Sequence, residues 1–267
     1  MILEVCVDSV ESAVNAEKGG ADRIELCGDL VVGGITPSLA LYERIREKTS
    51  LPIHVLLRPR FGDFLYSEEE LEILIRQARM FAKAGADNLV IGCLTSDGRL
   101  DLEVMKKIID VANGTPVNLH RAFDMCRDLS EALEDAKKLG VVSILTSGGY
   151  ASAKEGAAVL DELKKNAGTI DIMAGAGMNA KNIQFMLENT SLTAFHMSGK
   201  KTLESKMQYR NPKVNMGLPS LSEYEIIQTD TQAVRAAKEI LDHSESSYTH
   251  RPKPSSSGSK QCPLPCN

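Results

Sequence analysis

Three times in this chain a helical stretch ends at glycine, crosses a short link and enters an apolar strand. The segments are GGADRIELC at Gly19–Cys27, KAGADNLVI at Lys83–Ile91 and, more loosely, KLGVVSIL at Lys138–Leu145. Glycine accepts the left-handed conformation that closes a helix, so each segment marks a helix-to-strand junction. Recurrent junctions of this kind commit a chain to alternating helices and strands, and so to a largely parallel sheet. In the first segment Arg23, Glu25 and Cys27 share one face of the strand, and Ile24 and Leu26 share the other. A strand between two packed layers is normally apolar on both faces, so the polar face points to a lined interior cavity.

Taken in order, the sequence predicts strands at Ile2–Val7, Ile53–Arg60, Asn88–Cys93, Val117–Asp124, Val142–Thr146, Asp171–Ala174 and Ala194–Met197, besides the one after Gly20. Helices are predicted over Ser9–Lys18, from Pro37-Ser38 to Lys48, from Ser67 to Ala84, and over Leu102–Ala112, Ser130–Leu139 and Ser152–Asn166. Two more run from Asn179 to Glu188 and from Thr231 to Leu241. Ser9 and Asn179 are placed as N-caps, and Ser67 with Glu70 forms a capping box. Residues 198–228 read as a polar loop. Eight strands in alternation with helices give an α/β chain whose best reading is a single-domain (βα)8 TIM barrel, for which about 250 residues is typical. A doubly wound open sheet gives a similar string, but polar residues recurring on inner faces favour the barrel. The barrel is expected over residues 1–242, followed by a disordered Ser/Pro-rich tail at 243–267.

The 31 lysines and arginines against 36 acidic residues leave a net charge of −5 with no basic block, so no nucleic-acid partner is expected. The amino terminus has no cationic leader and no apolar run is long enough to span a bilayer, so no membrane association is expected and a soluble cytoplasmic protein is. Six cysteines, at 6, 27, 93, 126, 262 and 266, then remain thiols open to a soft metal.

In a (βα)8 barrel the working residues stand at the carboxyl ends of the strands. That rule gathers Cys6, Glu25, Cys27, Arg58, Arg60, His120, Asp124, Thr146, Ser147 and His196. Cys6 and Cys27 each follow a glutamate by two positions, on strands expected to be neighbours about 4.8 Å apart. Two such thiols suit low-coordinate Cu(I), helped by Met173, Met197 or a histidine, better than a closed zinc site, which takes four ligands. Buried cysteines also simply pack. Arg58, Arg60 and His120 form a second group. Either they neutralise Glu4, Glu25 and Asp124 inside the barrel, or the arginines clamp a carboxylate or phosphate while His120, Glu25 or Asp124 moves a proton. The turns SGG, with Ser147, and GAGMN offer backbone N–H groups to an anion.

With these residues assembled, the chain resembles the CutC family of copper homeostasis proteins, through EVCVDS, GGADRIELC, GGITPS, RPR with GDFLY, HRAFD, LTSGG, GAGMN and FHMS over roughly residues 2–230. The resemblance implies a (βα)8 barrel, a cytoplasmic and also nuclear location, a homo-oligomer and a role in copper handling. It implies Cys6 and Cys27 as Cu(I) ligands, for buffering or trafficking, and Glu25, Arg58, Arg60, His120, Asp124 and His196 as barrel lining. The alternative is a barrel enzyme acting on a small anionic substrate. The chain departs from the family pattern at Phe61, at Ala176 and in the tail.

Overall fold

The structure, a computed structural model, describes residues 1–216, 218 and 221–249. Its frame is a closed barrel of eight parallel strands: β1 (Ile2–Val7), β2 (Arg23–Leu26), β3 (Ile53–Leu56), β4 (Asn88–Ile91), β5 (Val117–Leu119), β6 (Ser143–Thr146), β7 (Asp171–Ala174) and β8 (Ala194–Met197). Each pairs with the next, and β8 returns to β1 with Glu4 opposite His196, which excludes the open sheet. The helices α1 (Val10–Gly19), α2 (Leu39–Arg46), α3 (Glu68–Lys83), α4 (Leu102–Val111), α5 (Leu129–Leu139), α6 (Ala157–Asn166) and α7 (Ala180–Asn189) connect successive strands, and α8 (Thr231–Thr249) follows the barrel. No helix of the described residues is long and apolar enough to cross a membrane.

The junction signals act as expected. Gly20 closes α1 at φ 90°, and its N–H meets the carbonyls of Ala16 and Glu17. The Ser9 side chain accepts the Ser12 N–H, and the Ser67–Glu70 capping box is formed in full. The strand alternation then separates two environments. Leu3, Val5, Val7, Ile24, Leu26, Ile53, Val55, Leu89 and Ile91 face the helices in one continuous core. The opposite faces bring Glu4, Glu25, His54, Asn88, Asn118, Ser143 and His196 into the barrel, all buried. Two small apolar clusters share that interior: Cys6, Cys27, Leu56 and Val90 in one, Leu145, Met173 and Ala194 in the other.

Three differences from the sequence reading have local causes. First, β3 stops at Leu56 instead of Arg60, because the chain leaves the sheet to pair with the loop after β2. Thr36 N donates to the Arg58 carbonyl at 2.8 Å and Arg58 N donates to the Thr36 hydroxyl at 2.9 Å, and Pro59 has no N–H to continue a ladder. Second, the polar stretch after β8 holds an antiparallel hairpin, β9 (Lys200–Glu204) and β10 (Glu225–Thr229). Thr229 ties it down, donating its N–H to the Ser12 hydroxyl and its own hydroxyl to the Ser198 carbonyl. Third, α8 runs beyond residue 242 to Thr249. Its Val234, Ala237 and Leu241 are buried, Lys238 binds Asp22 at 2.7 Å, and Glu245 pairs with the amino group of Met1. The remainder of the expected tail, with Cys262 and Cys266, lies outside the described residues.

Candidate functional site

The floor of the barrel is a buried ion cluster centred on Glu4. One carboxylate oxygen accepts Arg23 Nε at 2.5 Å and lies 2.9 Å from His54 Nδ1; the other lies 2.9 Å from His196 Nδ1. Asn118 Nδ2 is 3.3 Å from His54 Nδ1, and Asn88 donates to Asn118 Oδ1 at 3.1 Å, which extends the network across β3, β4 and β5. Burial alone would raise the Glu4 carboxyl, but the two histidines and Arg23 hold it well below the usual carboxylate range. Glu4, Arg23, His54 and Asn118 were not among the residues the strand-end rule selects. Their signal was only the polar alternation along β1, β2, β3 and β5.

Above this floor stands the layer that holds the two cysteines. Cys6 is opposite Glu25 in the β1–β2 register, and Cys27 follows β2 with its N–H on the Val7 carbonyl at 2.9 Å. Both are free thiols, both are buried, and they share the cluster with Leu56 and Val90. The Cys27 thiol faces the Glu25 carboxylate at 3.7 Å, and His196 Nε2 is 3.6 Å from the same Glu25 oxygen. Burial pushes the Cys27 thiol well up, with Glu25 and Cys6 adding to the effect. Burial also raises Glu25, against the pull of His196 and His54. At His196 burial opposes the charge, yet the Cys6 sulfur and the Glu25 and Glu4 carboxylates hold the imidazole well above its usual range. The result is a cationic histidine between a carboxylate floor and two thiols. Cys93 and Cys126 are free as well, but burial pushes both thiols up to about 12 and neither lines this space.

A cavity of about 480 Å³ opens from this layer to the mouth. Cys6, Glu25, Cys27, Arg58, His120 and His196 all line it, with Leu56, Phe64, Met178 and the Lys200 end of the hairpin. His120 is 4% exposed. Its Nδ1 accepts the Ala122 N–H at 3.1 Å, so the ring hydrogen is assigned to Nε2. Gly92 permits this position, since a Cβ there would stand 2.5 Å from the His120 ring. Burial, reinforced by the charge of Arg58, lowers the His120 pKa to about 3. Arg58 donates to the carbonyls of Gly34 at 3.1 Å and Gly62 at 2.7 Å, and its guanidinium lies 5.0 Å from the centre of the Phe64 ring.

The other candidates stand elsewhere. With β3 ended at Leu56, Arg60 lies outside the cavity and is held by Glu70 at 2.6 Å, Asp63 and three loop carbonyls. Asp124 is also outside the cavity lining and is enclosed by the turn that follows β6. It accepts the Thr146 hydroxyl at 2.5 Å, Ser147 N at 3.0 Å, Gly149 N at 3.1 Å and Arg121 Nε at 2.7 Å. The SGG turn is therefore an anion nest, as its sequence implied, but the anion is this chain's own carboxylate. The Ser147 hydroxyl is engaged as well, donating to the Tyr150 carbonyl at 2.6 Å. Only the other glycine turn, through Ala176, Gly177 and Met178, reaches the cavity.

The comparisons with known proteins agree with the barrel fold. Residues 1–201 match the CutC family. The chain belongs to the CutC family. The human relative, named copper homeostasis protein cutC homolog, is 46% identical over 246 residues, covering 90% of each chain. A CutC family protein of Bacteroides fragilis is 43% identical, covering 91% of this chain and 98% of its own. Among solved structures, the CutC protein of Streptococcus agalactiae superposes with a TM-score of 0.70 at 29% identity, covering 74% of this chain and 98% of that one. Within the CutC barrel, then, Cys6 and Cys27 belong to the mouth layer, and Arg60, Asp124 and Ser147 support the loops around it.

Proposed function

We propose that this CutC-family barrel acts in copper homeostasis by holding Cu(I) between Cys6 and Cys27, buffering the ion or passing it on in a reducing cytoplasm. Membership of a family whose curated relatives are named copper homeostasis proteins supports the general role. The observation that carries the finer reading is the pairing of two free, buried thiols in one small cluster that opens to the cavity. Among the described residues no group of three or more His, Cys, Asp or Glu side chains is arranged to hold a metal. The two soft sulfurs are a donor set suited to low-coordinate Cu(I). The surroundings fit a dithiolate. In the metal-free protein burial keeps Cys27 protonated, so binding must release its proton, and the cationic His196 offsets the negative charge then created.

The test is an anaerobic Cu(I) competition titration of the reduced protein against a chromophoric chelator. The chain should bind tightly, a chain ending at Thr249 should bind equally, and the Cys6→Ser, Cys27→Ser double variant should lose the site. Affinity should rise with pH, since the thiol proton leaves on binding. Copper that remains in the double variant, or that follows Cys262 and Cys266, would overturn the assignment.

A further inference from the structure

The cavity also holds two polar groups that copper on the cysteines would not use. His120 Nε2 and Arg58 Nε are both buried, and neither has a hydrogen-bond partner among the described residues. Both side chains pack on Phe64, whose ring centre lies 5.0 Å from the His120 ring centre and 5.0 Å from the Arg58 guanidinium carbon. Both line the same space. Each is a donor: Arg58 Nε always, and His120 Nε2 because its other nitrogen accepts the Ala122 N–H. Leaving a buried donor unmatched costs folding energy, and such groups mark places where a partner binds. The contacts Arg58 does make, to the Gly34 and Gly62 carbonyls, fix its orientation and supply no counter-charge.

We infer that the cavity binds a small organic oxyanion, whose oxygens accept Arg58 Nε–H and His120 Nε2–H while its apolar body rests on Phe64 and Leu56. The inference is independent of the copper assignment. Inorganic phosphate alone fits less well, because about 480 Å³ exceeds its needs and Leu56, Phe64 and Met178 supply apolar wall. The glycine turn at Ser147 does not compete for the ligand, since Asp124 already fills it. Carboxylate and phosphate monoester share the required chemistry. His120 serves as a neutral donor, so binding needs no protonation of the imidazole.

The experiment is calorimetric titration of the full chain with benzoate, phenyl phosphate and benzyl alcohol, paired with imidazole ¹⁵N NMR of the wild-type protein. At least one oxyanion probe should bind ten times or more tighter than benzyl alcohol, and the stronger of the two names the oxyanion. The His120 Nε2 resonance should move on addition, with benzoate affinity level between pH 6 and 8. His120→Phe and Arg58→Met should each weaken binding about tenfold, the scale of one hydrogen bond to a charged group. The NMR arm uses the wild type alone, so it stands even if a variant fails to fold. Benzyl alcohol binding as well as both anions, an unmoved His120 resonance, or folded variants that bind unchanged would overturn the inference.

Discussion

Replacing Glu4 by glutamine tests the buried floor most directly. Glu4 is 1% exposed and its two oxygens serve Arg23, His54 and His196 at 2.5, 2.9 and 2.9 Å. Glutamine keeps the shape and one acceptor oxygen but removes the charge that faces two buried cations. Hydrogen bonds to charged groups are worth about 1.5–3 kcal/mol each, and breaking one side of a buried ion pair costs about 3–5 kcal/mol. His196 can shed its proton in response, which relieves part of the loss, so Glu4→Gln should destabilise by about 3 kcal/mol at pH 7. That is a large share of the roughly 5–15 kcal/mol typical of a folded protein. Urea unfolding followed by circular dichroism gives the number, and repeating it against pH gives the cause. The folded-state pKa of Glu4 lies well below its ordinary value of 4.5, so its contribution is complete above that value and is lost as pH falls through the folded pKa. The gap between wild type and variant should therefore narrow below about pH 4.5. A gap under about 1 kcal/mol at pH 7, or one that does not change in acid, would refute the ion-cluster account.

Three further outcomes follow from single residues. Ala176 sits at φ 72°, a left-handed conformation that costs a residue with a Cβ, so Ala176→Gly should raise stability by about 0.5–1 kcal/mol in the same unfolding assay. His120 is neutral when folded down to about pH 3 but titrates near 6.5 when unfolded. Its contribution is therefore intact above pH 6.5 and falls as pH drops, by about 1.4 kcal/mol per unit, a slope that His120→Phe should remove. Asp124→Asn places an amide donor against the Ser147 and Gly149 N–H groups and should cost about 2–3 kcal/mol in thermal unfolding, the scale of an unmatched charged hydrogen bond.

The barrel was legible because its signals are local and repeated. Gly20, Gly85 and Gly140, which end α1, α3 and α5, all take positive φ, and the two-residue alternation of β1 and β2 sends Glu4, Cys6, Arg23 and Glu25 inward as their spacing implies. Cys6, Cys27, Glu25, Arg58, His120 and His196 were likewise legible as one lining. Arg60 was not, because a strand read four residues too long kept it on the inner face, and only the Thr36–Arg58 pairing shows that the chain has turned away. The enclosure of Asp124 was hidden for a different reason. It depends on a side chain meeting backbone groups about twenty residues later, and no periodicity encodes that. The hairpin β9–β10 escaped because Lys200–Glu204 is mostly exposed and polar, with neither the alternation nor the apolar run of a core strand.

The charge distribution bears on both proposed ligands. On the floor a single firmly ionised carboxylate, Glu4, faces Arg23 and a cationic His196. In the layer above, burial raises the Glu25 carboxyl against the pull of His196, while Arg58 brings a positive charge that donates to the Gly34 and Gly62 carbonyls. Positive groups therefore stand on both sides of the cavity, in a setting where water screens them poorly. A Cu(I) ion on two thiolates has one net negative charge, and a small carboxylate has the same. In the two proposals each would sit against a positive group, Cu(I) on the sulfurs by β1 and β2 beside His196 and the oxyanion on the donors of Arg58 and His120. On both proposals these positive side chains favour an anionic species at the mouth.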